Sequence, residues 1–223
     1  MLTIIEDLLD EDRLVRVRDL LAGVKFESGK ASAGKLARKV KNNLELPPDA
    51  PELKELNDIV MGSLVANGRY QDAVLPHRVA APFYSCYEAG MAYGEHIDDP
   101  IMGTGPRYRS DCSITIFLSD VSEYEGGELC IRTGYGEQVV KPPAGSAVIY
   151  PSSSVHRVNA VTRGRRLAAV TWVQSLVREA DHREILFDMA AARNILMAEN
   201  SISEAARRLD HAYVNLLRLW SDL

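Results

Sequence analysis

The spacing of apolar residues changes character twice along the chain. Residues 2–5 form a short apolar run that predicts a strand. From Asp10 onward Leu14, Val17, Leu20 and Leu21 recur at helical spacing and Gly23 supplies a stop, which predicts a first helix. Residues 28–41 are rich in Gly, Ser, Ala and Lys without periodicity. They predict irregular or edge structure whose positive charges form a solvated face. After the break at residues 47–51, Pro51 is placed for the first turn of a second helix. Leu53, Leu56, Val60 and Leu64 give that helix its apolar stripe, and Asn67-Gly68 ends it.

From about Val79 the period shortens to two. Residues 83–87 are aromatic and strand-like, and residues 112–118 alternate small polar with apolar side chains as a half-buried strand does. Residues 128–132 follow Gly126-Gly127, residues 147–150 follow the turn at 142–145, and residues 166–173 form another β-rich run. Short strands at close intervals, separated by Gly/Pro turns, predict an all-β sandwich or barrel.

Beyond Val173 the period is helical again. Ile185, Met189, Ala192 and Leu196 share one side of a predicted helix closed by Asn200, and Ser201-x-x-Glu204 has the form of a capping box opening another. In that last helix Ile202, Ala206, Leu209, Tyr213, Leu216 and Trp220 make an apolar seam that must be covered. Docking onto the β core or the preceding helix would cover it, and so would a homodimer through the C-terminal helices. The fold class is therefore mainly β with flanking helices. A support region of helices and strand spans residues 1–78, a β core 79–175, and a C-terminal helical extension 176–223.

Bulk properties narrow the function classes. A chain of 223 residues buries a substantial core, and a net charge of -5 gives no support to a nucleic-acid partner. Cys86, Cys112 and Cys130 are odd in number, widely spaced and without a CxxC pair, which suits buried reduced thiols. Acidic residues follow the first five positions at once, so no secretory leader is expected, and no run approaches the length of a membrane span. The cytoplasm and no membrane partner follow by default.

The candidate chemistry lies in His96-Ile97-Asp98, His156 and Arg166. Residues i and i+2 of a strand face one side of a sheet, so His96 and Asp98 form a chelating pair with Ile97 turned away. A second imidazole from another strand, His156, would complete a 2-His-1-carboxylate triad, which leaves half of a ferrous ion's coordination sphere open. Blander alternatives exist: Asp98 precedes Asp99-Pro100 and reads equally as a turn acid, and His156 beside Arg157 as a surface histidine. His77, His182 and His211 have no partner at ligand spacing within a β segment.

Four stretches carry a family resemblance: residues 87–98 (YEAGMAYGEHID), 124–129 (YEGGEL), 143–158 (PAGSAVIYPSSSVHRV) and 164–172 (GRRLAAVTW). In order and spacing the chain resembles the prolyl-hydroxylase type of Fe(II)/2-oxoglutarate-dependent dioxygenase, above all the bacterial PKHD-type hydroxylases, some of which are named as iron-uptake factors. The run at residues 37–43 and the helical tail extend the likeness over the whole length. The resemblance implies a double-stranded β-helix, or jelly roll, buttressed by N-terminal helices. It implies His96, Asp98 and His156 as iron ligands and Arg166, ten residues beyond His156, as the group binding the distal carboxylate of 2-oxoglutarate. Arg165 competes for that task, but strand alternation lets only one of the two point inward.

Tyr87 resembles the tyrosine with which some relatives contact the cosubstrate, and reads equally as a barrel-lining aromatic. Where animal prolyl hydroxylases place a tyrosine to help hold the distal carboxylate, this chain has Phe117; Ser113, Thr115 or Tyr93 could replace it. The implied reaction consumes O2 and 2-oxoglutarate, releases succinate and CO2, and hydroxylates an unidentified substrate, peptidyl prolyl/lysyl or a small metabolite. L-ascorbate (vitamin C), which rereduces stray ferric iron in many relatives, belongs to the same implication. Two rivals stay open: a cupin-like metal-dependent enzyme without 2-oxoglutarate, and a non-catalytic iron-binding or iron-sensing β-barrel. Arg107 and Arg109, in the loop after the HxD, could form a rim that attracts an acidic substrate, or simply a solvated loop.

Overall fold

The computed structural model describes residues 1–103, 105–200 and 203–222. The N-terminal part supplies β1 (Thr3–Ile5), α1 (Glu11–Ala22), β2 (Glu27–Ser28), β3 (Lys41–Asn42), β4 (Leu44–Glu45), α2 (Leu53–Ala66) and α3 (Gly68–Val74). Then follow β5 (Pro76–Val79), β6 (Phe83–Glu88), β7 (Ala92–His96), β8 (Ile101–Met102), β9 (Tyr108–Arg109) and β10 (Cys112–Phe117). The core is completed by β11 (Tyr124–Gly126), β12 (Leu129–Thr133), β13 (Gly136–Val140), β14 (Ala147–Pro151), β15 (His156–Val158) and β16 (Val161–Ser175). Helices α4 (Ala180–Asn200) and α5 (Glu204–Trp220) close the chain.

Two antiparallel sheets face each other as a jelly roll. The larger runs β1-β14-β10-β16-β6-β4-β2, with β11 and β5 paired to stretches of the long strand β16; the smaller runs β13-β12-β15-β7-β3. One face of the larger sheet packs on α1, α2 and α3 through Ile114, Ile116, Leu21, Leu56, Val60, Leu64 and Tyr70, all fully buried. Its other face meets the smaller sheet through Tyr87, Phe117, Tyr124, Leu129, Val148 and Tyr150. Strand β10 is thus buried on both sides, not half-buried. Cys112, Ile114 and Ile116 face the helices, and the alternate Ser113, Thr115 and Phe117 face the barrel interior.

Helix α1 starts and stops where its caps are. The Asp10 carboxylate accepts the Arg13 N–H, and Gly23 follows the last turn. Helix α2 begins at Leu53, so Pro51 lies just outside it, and Asn67 both ends α2 and caps α3 by accepting the Tyr70 N–H at 2.9 Å. The solvated face expected for residues 28–41 holds for Lys30, Lys35, Arg38 and Lys39 but fails for Lys41, which is buried.

In α4 the buried side is set by Arg183, Leu186 and Ala190, whereas Ile185 and Ala192 are exposed, so the expected stripe is rotated. Of the expected α5 seam, Tyr213, Leu216 and Trp220 are covered within the chain by Leu186, Met189 and Ala190 of α4 together with Leu75 and Val177, and Ala206 is buried as well. Ser201 and Ile202 lie outside the described residues; the cap of α5 is Ser203, whose Oγ accepts the Ala206 N–H. No helix among the described residues is long and apolar enough to cross a membrane.

Candidate active site

Strands β7 and β15 are neighbours, and their register sets His156 opposite His96. Paired positions on one face bring the two imidazoles to a centroid separation of 4.2 Å. Strand β7 ends at His96, so Asp98 sits just past the strand rather than within it, and Ile97 between them is turned to solvent. The Asp98 carboxylate lies 4.0 Å from His96 Nε2 and 3.8 Å from His156 Nε2. One ligand atom from each of the three side chains falls within 4.8 Å of the others. These gaps are too wide for hydrogen bonds and wide enough to admit a cation.

The donors are oriented from behind. His96 Nδ1–H donates to the Gly94 carbonyl at 2.8 Å, and His156 Nδ1–H to the Ser154 carbonyl at 3.0 Å. A carbonyl only accepts, so in each ring the proton sits on Nδ1 and Nε2 turns its lone pair toward Asp98. The Ser113 hydroxyl donates to Asp98 Oδ2 at 2.5 Å and lies 2.8 Å from Ser152 Oγ. Burial, and next the neighbouring His156, push His96 down to about 4, which keeps it in the neutral form a metal requires.

Across the barrel, β16 presents Arg166 inward, 1% exposed, opposite Tyr87 of β6. Arg165 takes the other face, where its guanidinium lies over the Phe26 ring and donates to Cys86 Sγ. The Arg166 guanidinium is 5.2 Å from the Tyr87 ring and 5.0 Å from the Phe117 ring, yet its Nε and Nη2 have no acceptor among the described residues. The Tyr124 hydroxyl nearby is also unpartnered. At Gly127, with φ +68°, any Cβ would come 3.0 Å from Arg166 Cδ, so glycine there lets the arginine stem lie against the backbone.

A cavity of about 610 Å³ joins the two groups. Arg166, Tyr87, Thr115 and Tyr150 line it along with the three metal-type donors, and Phe83, Trp172, Met102 and Tyr108 line it elsewhere. Thr115 and Tyr87 therefore share the cavity with Arg166, while Ser113 is committed to Asp98. Burial pushes the Tyr87 hydroxyl up to about 12 against the pull of Arg166, and lifts Tyr150 well above its usual range. Tyr93 lies parallel to the His96 ring, with centroids 3.6 Å apart.

Polar cavity residues not singled out from the sequence include Lys41, Asn43, Glu45 and Tyr150. The first three alternate, which is the period-2 signature of one strand face and could have marked them. Arg109 is not a free cation on the rim. It is spent on Asp111 at 2.7 Å, on Asp222 at 3.2 Å and on the Ser175 carbonyl. His182 stacks on Trp220, and His211 is exposed.

The model of the 2OG-Fe(II) oxygenase superfamily matches residues 82–174. A PKHD-type hydroxylase of Thioalkalivibrio sulfidiphilus (strain HL-EbGR7) is 45% identical over 224 residues, and one of Polaromonas sp. (strain JS666 / ATCC BAA-500) 44% over 226, each match covering 100% of both chains. Among solved structures, a Pseudomonas putida prolyl-4-hydroxylase superposes with a TM-score of 0.54 at 17% identity, covering 78% of this chain and 92% of that one. The prolyl hydroxylase of Trichoplax adhaerens, solved with a peptide fragment of the hypoxia inducible factor oxygen degradation domain, gives 0.56 at 18%, covering 77% and 82%. At such identities the structural likeness speaks for the fold, and the full-length sequence identity speaks for the family. The chain belongs to the 2OG-Fe(II) oxygenase superfamily, among its PKHD-type hydroxylases.

Proposed function

We propose that this protein is a dioxygenase that uses Fe(II), held by His96, Asp98 and His156, and 2-oxoglutarate, whose distal carboxylate is held by Arg166. It would hydroxylate an unidentified substrate, peptidyl prolyl/lysyl or a small metabolite, and release succinate and CO2. One observation carries the cosubstrate assignment. A buried guanidinium with two unsatisfied N–H donors lines the same cavity as the triad. A buried cation without an acceptor is costly, and a bound carboxylate would remove that cost through paired charge-assisted bonds. A cupin-like enzyme without 2-oxoglutarate, or an iron sensor, leaves Arg166 without a purpose.

The donor set fits the metal. Two neutral imidazole nitrogens and one carboxylate suit a ferrous ion and leave coordination positions free. Bound iron would supply the activation of dioxygen. The chain's own residues have other tasks. The Gly94 and Ser154 carbonyls fix the imidazole tautomers, and Ser113 holds the Asp98 carboxylate in place. Arg166 would orient the cosubstrate, with Tyr87 and Thr115 as further polar contacts in place of the hydroxyl that Phe117 lacks. The buried inner faces of both sheets keep bulk water out.

In the same proposal residues 79–175 are the catalytic core, 1–78 its support and 176–223 a helical extension. Three buried free thiols favour a reducing compartment such as the cytoplasm, and L-ascorbate would serve only to rereduce stray ferric iron. The test is anaerobic addition of Fe(II) and 2-oxoglutarate, followed by O2. A weak visible charge-transfer band and then succinate are expected. Metal binding with neither band nor succinate would favour the cupin-like alternative, or the sensor if no other turnover is found.

A further inference from the structure

The short strand β3 forms the edge of the smaller sheet, next to the strand that ends at His96. It pairs with β7, setting Lys41 opposite Tyr93. The Gly94 N–H donates to the Val40 carbonyl at 2.9 Å, and the Gly94 carbonyl accepts the His96 ring N–H at 2.8 Å. One residue, Gly94, therefore links the edge strand to His96. Gly94 is required for this approach, because a Cβ there would come 2.8 Å from Val40 Cβ. On the side-chain level Lys41 Nζ lies 5.2 Å from the Tyr93 centroid, and Tyr93 stacks on His96 at 3.6 Å with planes 13° apart. Lys41 is in turn fixed by Glu45 at 2.5 Å and by Ser32 Oγ at 2.7 Å.

Stability alone accounts poorly for this cluster. The Lys41 and Glu45 side chains are only 8% and 13% exposed, and desolvating such a pair offsets most of its attraction. Its placement points to another role. We propose that Lys41 and Tyr93 are positioning residues for the metal centre: held by Glu45 and Ser32, they stack in series on His96 and fix the plane of its ring, so that Nε2 stays aimed at the site shared with Asp98 and His156. A metal ligand that keeps its ring plane loses less freedom on binding, which raises affinity and narrows the coordination geometry.

The inference rests on the metal assignment proposed above, and Co(II) in place of iron separates the two. Visible absorption bands report the geometry around Co(II), and titration gives its affinity. Tyr93→Leu removes the stack, Tyr93→Phe keeps it, and the double variant Lys41→Met/Glu45→Gln removes the cation without leaving an unpaired carboxylate. Tyr93→Leu is expected to weaken Co(II) binding by roughly 10- to 100-fold and to change the band pattern, the range usual for groups that orient a ligand. Tyr93→Phe is expected to restore both, and the double variant to fall between. A purely structural role would instead lower the melting points of metal-free and Co(II)-loaded protein equally and leave the bands unchanged, which overturns the proposal. Should Tyr93→Leu fail to fold, unchanged bands and affinity in the double variant overturn it as well. If the wild type takes up no Co(II), the metal assignment itself fails; if the wild type binds, His96→Ala does not and the variants match the wild type, only the positioning role fails.

Discussion

Replacing Arg166 with methionine should do two opposite things. In the ligand-free protein the guanidinium is buried with Nε and Nη2 unsatisfied. Each such donor costs about 1–3 kcal/mol, so methionine would relieve about 2–6 kcal/mol. It would also forfeit the guanidinium's contacts with the Tyr87 and Phe117 rings, at about 0.5–2 kcal/mol each. At the midpoints of these ranges a net gain of roughly 1–2 kcal/mol remains, which for a chain of this size raises the melting point by about 2–8 °C. Binding of 2-oxoglutarate should suffer. Truncating one partner of a buried charge pair costs about 2–5 kcal/mol, a loss of roughly 30- to 4000-fold in affinity. Differential scanning calorimetry of the Co(II)-loaded protein, with and without 2-oxoglutarate, reads both effects. The wild type should gain about 2.7 kcal/mol at a hundredfold excess over Kd, and the variant less than about 1 kcal/mol at the same concentration. A variant that melts below the wild type when ligand-free and still binds 2-oxoglutarate normally would show that Arg166 is a structural residue and refute the cosubstrate assignment.

Three further outcomes are expected. Ser113→Ala removes the hydroxyl that donates to Asp98 Oδ2, and should weaken metal binding by about 10- to 100-fold in a Co(II) titration while the melting point of the metal-free protein moves little. His96 is held near 4 in the metal-free fold against an ordinary 6.5, so as pH falls the unfolded chain takes up its proton first. The stability linked to this group is therefore complete above about pH 6.5 and is lost by about 3 kcal/mol between 6.5 and 4. Urea midpoints across that range should fall in the wild type and fall less steeply in His96→Gln; equal slopes would clear His96 of the effect. Arg109→Ala strips the buried Asp111 carboxylate of its cation and releases Asp222 beyond α5, which should cost about 1–3 kcal/mol and speed hydrogen exchange in α5 before the core strands.

The residues of the site were legible because each sits on a local pattern that chain geometry preserves. Two imidazoles and a carboxylate near strand ends, and an arginine at an inward β position, need only the period of two to be placed. The same period misled elsewhere. Alternation along β10 shows that its two faces differ but not that one meets solvent; Ser113 and Thr115 face the barrel interior, not water. Lys41, Asn43 and Glu45 alternate as they would on a solvated edge, and only the paired sheet reveals that they point into the cavity. In α4 apolar residues occur on several sides, so the buried side is chosen by its neighbours α3 and α5, which the helix's own sequence does not encode. Helix α3 is only 7 residues long, too short for a period to register, and its sole local mark is Asn67.

Strand β10 shows how one segment divides stability from chemistry. Its even-numbered residues Ile114 and Ile116 complete the apolar layer under α1, α2 and α3, where burial supplies the driving force for folding. Its odd-numbered residues Ser113, Thr115 and Phe117 line the interior that holds Asp98 and Arg166. The metal-type donors belong to the smaller sheet or the loop that leaves it, and Arg166 to the larger. A ligand touching both groups would therefore tie the two sheets together and satisfy donors that folding leaves unpaired. Such an interior is tolerable because the opposite face of the larger sheet carries the main apolar core. The interior can then remain polar and incompletely bonded, as the proposed cosubstrate role of Arg166 requires, without the fold depending on a ligand to form.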